Sequence, residues 1–185
     1  MQSKNKLILY FLIAAEFLLF LILQFIGTNK IVNYTVINIT ASIIFLFICY
    51  FISKTELPNK DIFLFAGLFI FLRLFFINTL PIGSDDIYRY MWDGKVQSHG
   101  INPYLYAPND AALSKLHSEL LPAKMNFIDM KTIYFPLSQW LFYIGYSISG
   151  ESVWGYKLIL FFSEILTFVS IYLLIAHLKI KSKYY

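Results

Sequence analysis

Four runs built almost wholly of Phe, Leu, Ile and other apolar residues, at residues 7–26, 34–52, 62–80 and 154–178, decide what this chain can become. Each holds about the 20 residues that a helix needs to cross the hydrocarbon core of a bilayer. With 58% of the residues hydrophobic and only 14% charged, the chain is too apolar for a soluble domain of its length. The expected fold is an all-α integral membrane protein of about four transmembrane helices. They form a single membrane domain over residues 1–185, with a long external loop, residues 81–153, that carries interfacial helices.

Charge orients the spans. Lys4 and Lys6 precede the first run, whose apolar core is too long for a cleaved signal peptide and is followed by no small-residue cleavage site. It reads as an uncleaved signal anchor. With a cytoplasmic N-terminus, four spans leave Lys4, Lys6, Lys54, Lys60, Lys179, Lys181 and Lys183 inside. A fifth apolar stretch, residues 136–150, would cover only roughly 20 Å as a helix and would throw the lysine-rich tail outside if it spanned. It is therefore assigned to the external loop. The lysines sit at segment ends and form no patch, so nucleic acid is not an expected partner. One cysteine, Cys49, lies inside an apolar run, which leaves no disulfide framework and no cysteine metal site.

Against this background the stretch "SDDIYRYMWDGKVQSHGINPY", Ser84 to Tyr104, concentrates the polar chemistry. Ser84 suits an N-cap, with Asp85 and Asp86 in the first turn, where the helix dipole favours negative charge. The helix can run to His99 unless Gly94 stops it, and Gly100 suits the left-handed position that ends it. Asp86, Arg89, Tyr90 and Asp93 then share one helical face, and Asp85, Tyr88 and Trp92 a neighbouring one. The same spacing also fits plain intrahelical ion pairs, Asp86 with Arg89 or Arg89 with Asp93. A metal site is poorly served: no histidine stands at ligand spacing to these acids, and no cofactor is expected.

Beyond it, "YAPNDAALSKLHSELL" offers Asn109 or Asp110 as a cap and Leu113, Leu116 and Leu120 on one stripe. That pattern predicts a short amphipathic helix on the membrane surface, with His117 on its solvated side. Pro136 marks the start of a helix. Within the spans Glu16, Arg73 and Glu164 are costly to bury, and Arg73 is expected to pair with one of the acids or to hold a lipid phosphate. Lys157 and His177 lie near enough to span ends to snorkel.

The segments "SDDIYRYMWDG", "GINPYLYAP" and "TIYFPLSQ", in this order and spacing, resemble the bacterial membrane glycosyltransferases of the GT-C superfamily, closest to the mannosyltransferase-like branch. The resemblance covers roughly residues 73–178. It implies an inverting enzyme in the bacterial inner membrane that takes sugar from a polyprenyl-phosphate donor and gives it to a glycan or lipid acceptor. The acid that opens the D-[IV]-Y-x-Y pattern corresponds to Asp86, the implied general base, with Asp85 its neighbour and competitor. For binding the substrates, Arg89, Tyr90, Trp92, Asp93, Asn102, Tyr104, Lys131, Tyr134 and Arg73 are the candidates. Two departures stand out. Family members carry Tyr-Pro-Pro where this chain has Tyr134-Phe135-Pro136, and they are longer, with further spans that complete the donor pocket. The chain is thus expected to be the N-terminal part of a longer fold, whose missing spans a second chain could supply. The rival expectation is a non-catalytic membrane scaffold that kept the fold and lost the reaction.

Overall fold

The computed structural model describes residues 2–23, 25, 31–82 and 84–178. Within them the secondary structure is wholly helical: α1 (Gln2–Leu23), α2 (Ile31–Lys54), α3 (Asn59–Phe75), α4 (Asp86–Ser98), α5 (Pro136–Ser149) and α6 (Trp154–His177), with a short 3-10 helix at Ala111–Leu116. Among the described residues three helices are long and apolar enough to cross a membrane, within α1, α2 and α6. The third expected span, 62–80, forms a shorter helix. α3 holds 17 residues, roughly 26 Å at about 1.5 Å per residue. It closes at Phe76, whose N–H donates to the Arg73 carbonyl, so residues 77–80 lie beyond it.

Two compact units emerge, the first comprising residues 1–76 and 169–185, the second residues 77–168. In the first unit, Leu9, Ile13 and Ile48 form a buried cluster that joins α1 to α2, with Phe65 and Phe69 of α3 packed on it. Lys6 pairs with Asp61 at 3.3 Å, and the Tyr10 hydroxyl donates to the same carboxylate.

The second unit is organised by α4 lying against α5. Gly94 was the expected weak point of α4, but the helix continues through it because the site is one of closest approach. A Cβ there would lie 2.8 Å from Tyr146 Cβ and nearer still to the Phe142 carbonyl oxygen. Around this contact Met91, Trp92, Val96, Leu113, Leu121 and Tyr156 make the core. At the far end of α4, Lys95 Nζ pairs with Glu151 at 2.5 Å, and Ser118 Oγ donates to the other oxygen of Glu151 at 2.7 Å. These bonds tie the loop after the 3-10 helix and the α5–α6 turn to α4.

The local expectations meet a mixed outcome. Asp85 stands at the N-cap position and not in the first turn, while Ser84 Oγ accepts from the Asp86 N–H at 3.3 Å. Gly100 takes φ +72°, the left-handed conformation that its position predicts. The amphipathic helix expected after Asn109 is instead the six-residue 3-10 turn, capped by Asp110, whose Oδ1 accepts from the Ala112 N–H at 2.9 Å. Its leucines are not a membrane-facing stripe, because Leu113 and Leu116 are buried in the protein's own core. His117 is exposed, yet its Nε2 lies 2.9 Å from the Pro108 carbonyl oxygen and its ring 5.5 Å from that of Trp92.

Candidate active site

The start of α4 and the segment before α5 enclose a pocket of about 80 Å³. Asp85, Asp86 and Arg89 form one side, with Lys131 and Tyr134 opposite; Asn126, Phe127, Met130 and Ile133 complete the lining. Such a volume is well below the roughly 300–1,000 Å³ of a site that encloses a whole ligand. It suits one charged or polar group of a larger molecule whose remainder lies over the rim.

Asp86 and Arg89 reach the same pocket because they are three residues apart on one helix, hence on one face. Arg89 is held on two sides. Its Nε donates to Asp93 Oδ1 at 3.1 Å, which is the intrahelical pair that the spacing allowed, and its Nη2 donates to the Met130 carbonyl oxygen at 2.9 Å. A guanidinium carries five donors, so this clamp leaves others for an anion in the pocket.

Asp93 itself is 2% exposed and is not part of the pocket lining. Its Oδ2 accepts from Thr132 Oγ1 at 2.5 Å and from Gln139 Nε2 at 2.8 Å. Gln97 adds bonds to the Asp93 and Gln139 carbonyls, at 3.1 and 2.9 Å. Burial pushes the Asp93 carboxyl above the usual carboxylate range, and Arg89, Thr132 and Gln139 pull it back. This buried network fixes α4, α5 and the segment before α5 to one another.

Tyr90 stacks on Phe142 with ring centroids 4.5 Å apart, and Tyr134 meets both rings edge-on. Burial, and next the Tyr90 hydroxyl, raise the Tyr134 phenol above its ordinary range. Tyr134 therefore offers a proton donor and not a base. The Tyr104 hydroxyl donates to the Tyr134 carbonyl at 2.6 Å, and Asn102 Oδ1 accepts from the Tyr104 N–H at 3.0 Å, so the Gly-Ile-Asn-Pro turn braces the wall from outside.

The family model described as alpha-(1->6)-mannopyranosyltransferase, N-terminal domain (MptA_B family) matches residues 14–184. The chain belongs to this family. No curated protein and no solved structure matches it.

In this mannosyltransferase N-terminal domain the residues singled out in the sequence divide into three groups. Asp85, Asp86, Arg89, Lys131 and Tyr134 come together in the pocket. Tyr90, Asp93, Asn102 and Tyr104 stand behind or beside it as supports. Trp92 is 1% exposed within the core and is not among the residues that line this pocket. Arg73, exposed in the last turn of α3, belongs to the first unit. Sequence reasoning passed over Asn126, Phe127, Met130 and Ile133, and the supporting roles of Thr132 and Gln139. Thr132, Ile133 and Gln139 lie within the quoted "TIYFPLSQ", so the resemblance touched them without giving them a task. Nothing local marks Asn126, Phe127 and Met130.

Proposed function

We propose that this domain handles the reacting groups of an inverting mannosyltransferase that draws its sugar from a polyprenyl-phosphate donor in the bacterial inner membrane. The observation that carries this reading is the convergence of Asp86, Arg89 and Lys131 on one pocket, although Lys131 is distant from the other two in sequence. A carboxylate beside two cations matches what the reaction asks. As the acceptor oxygen bonds to the anomeric carbon, its proton passes to an Asp86 carboxylate oxygen. The bond from the anomeric carbon to the phosphate oxygen breaks on the opposite face, which inverts the centre. The electron pair leaves on the lipid phosphate, where Arg89 and Lys131 meet the growing charge. A phosphate is stable as an anion, so no general acid is needed, and this reading requires no metal.

The surroundings fit a lipid donor. α5 turns Gln139, Phe142 and Tyr146 toward α4 and leaves Leu137, Trp140, Leu141, Ile144 and Ile148 exposed, an outer face that is apolar apart from Tyr143 and Ser147. At 14 residues, roughly 21 Å, α5 is too short to span and suits the plane of the interface. Exposed Phe127 and Ile133 line the pocket's rim. In this reading the donor's phosphate enters the pocket from the membrane plane, the loop 81–153 faces outward, and the chain crosses the membrane several times. The glycan or lipid acceptor and the further donor contacts lie with spans outside residues 1–185, on a longer fold or a second chain.

The test is Asp86→Asn in the enzyme with all of its spans, supplied with a polyprenyl-phosphate sugar. The change keeps shape and removes proton acceptance, so turnover should fall by about 10²–10⁴-fold. Asp85→Asn should cost far less. Near-normal turnover in Asp86→Asn with a dead Asp85→Asn would move the role to Asp85. Normal turnover in both would leave the domain as a scaffold.

A further inference from the structure

The first unit holds a second cavity, about 520 Å³, bordered by α1, α2 and α3. Its wall is apolar, with Ile13, Phe20, Phe45, Ile48 and Phe69 typical, except for one ionisable group, Glu16. It shares no residue with the pocket beside Asp86. Glu16 is 7% exposed, and no hydrogen bond or ion pair to it is found among the described residues. The nearest candidates on its own helix are engaged elsewhere, since Lys6 and Tyr10 both serve Asp61.

A carboxyl group in apolar surroundings is expensive to leave without a partner. Water alone is a poor answer, because a buried water needs two to four polar partners and the only polar side chain in this lining is Glu16. The volume instead falls within the roughly 300–1,000 Å³ of small-molecule sites. α1 and α2 both contain stretches long and apolar enough to cross a membrane, and helices placed so would open this space to lipid. A plain hydrocarbon would fill the volume and leave Glu16 unsatisfied. A phosphate or carboxylate head group would be repelled by an ionised Glu16. A hydrogen-bond donor on a long apolar chain meets both demands.

We propose that this cavity binds a membrane amphiphile, whose single apolar chain fills the space and whose hydroxyl or protonated amine hydrogen-bonds to Glu16. The site does not rest on the glycosyl-transfer reading of the other pocket. It is tested on the full chain in lipid nanodiscs with three photoreactive probes: a long-chain alcohol, the matching amine and the matching alkane, each with a diazirine on the chain. Labelling of peptides that contain Phe45, Ile48 and Phe69 is followed by mass spectrometry. The alcohol or the amine should saturate these peptides at about tenfold lower concentration than the alkane, the worth of one such hydrogen bond. Glu16→Leu should erase that advantage and leave alkane labelling unchanged. Glu16→Gln should keep the advantage of an alcohol and lose that of an amine, which separates the two sources. Equal labelling by all three probes would overturn the proposal, and so would an advantage that survives Glu16→Leu. Should the Leu variant fail to fold, the comparison of probes on the unaltered chain still decides.

Discussion

Arg89 Nε stands 3.1 Å from Asp93 Oδ1, one turn along α4, and this buried carboxylate aims the guanidinium that faces Asp86's pocket. The pair is half structural and half functional. Its carboxylate side is sealed by Thr132 and Gln139, while its cationic side opens to the pocket. Arg89→Lys tests the arrangement. A lysine keeps the charge but cannot donate at once to Asp93, to the Met130 carbonyl and to a bound phosphate. Turnover in the enzyme with all of its spans should drop by about tenfold or more, while thermal unfolding of the domain moves little. Turnover equal to that of the unaltered enzyme would show that charge alone suffices.

The Asp93 network also sets a pH dependence. Its folded pKa is raised above the ordinary 3.8, chiefly by burial. As pH rises above that value the unfolded chain gives up this proton before the folded one does. The contribution of Asp93 to stability is therefore full below about pH 4 and is lost as pH climbs through the raised folded value. Asp93→Asn removes the titrating group. The difference in Tm between the unaltered domain and the variant should move in the variant's favour over that window, on top of a constant penalty for the lost pair. A difference that moves the opposite way would mean that the partners outweigh burial.

Gly94→Ala probes the α4–α5 contact that shapes the pocket. The added carbon would meet the Phe142 carbonyl and the Tyr146 Cβ, and a backbone group cannot swing aside as a long side chain can. On an isolated helix alanine is the better residue, by about 1 kcal/mol. Here overpacking of about 1–3 kcal/mol should outweigh that gain and lower Tm. A higher Tm would show that α5 is free to shift away.

How far the sequence disclosed all this depends on the range over which each feature is determined. The helices α1, α2 and α6 were legible because the length of an apolar run is a local property. The end of α3 was not, since apolarity continues to Leu80 while the backbone leaves the helix at Phe76. The leucine spacing at Leu113 and Leu116 fits an α-helix or a 3-10 turn equally, because residues three apart stack in both, and tertiary packing under α4 chose the tighter form. In the site, Asp86, Arg89 and Asp93 followed from helical periodicity. That Trp92 points inward did not, for an aromatic residue suits an interface and a core alike. The wall from Asn126 to Met130 reaches α4 only through the fold, with Met130 coming to Arg89 from 41 residues away. No local pattern could have announced it.

Phe127 supplies the last prediction. It is the one non-glycine residue among those described with a positive φ, 54°, and its ring is 71% exposed. A left-handed backbone at a bulky residue costs about 1–3 kcal/mol, and an exposed ring recovers little of that through burial. Stability alone would favour glycine. The conformation places Phe127 in the lining of the pocket with Asp86 and Arg89; on the proposed function, its apolar ring would meet the first units of the donor's prenyl chain. Phe127→Gly should relieve the strain, offset in part by the greater freedom of glycine in the unfolded chain, so Tm should stay level or rise. KM for the lipid donor should rise several-fold, as expected for the loss of an apolar contact worth about 1 kcal/mol, with kcat changing less. A fall in Tm of the size seen for core aromatics would assign Phe127 to packing. An unchanged KM would show that the donor chain does not pass over this ring.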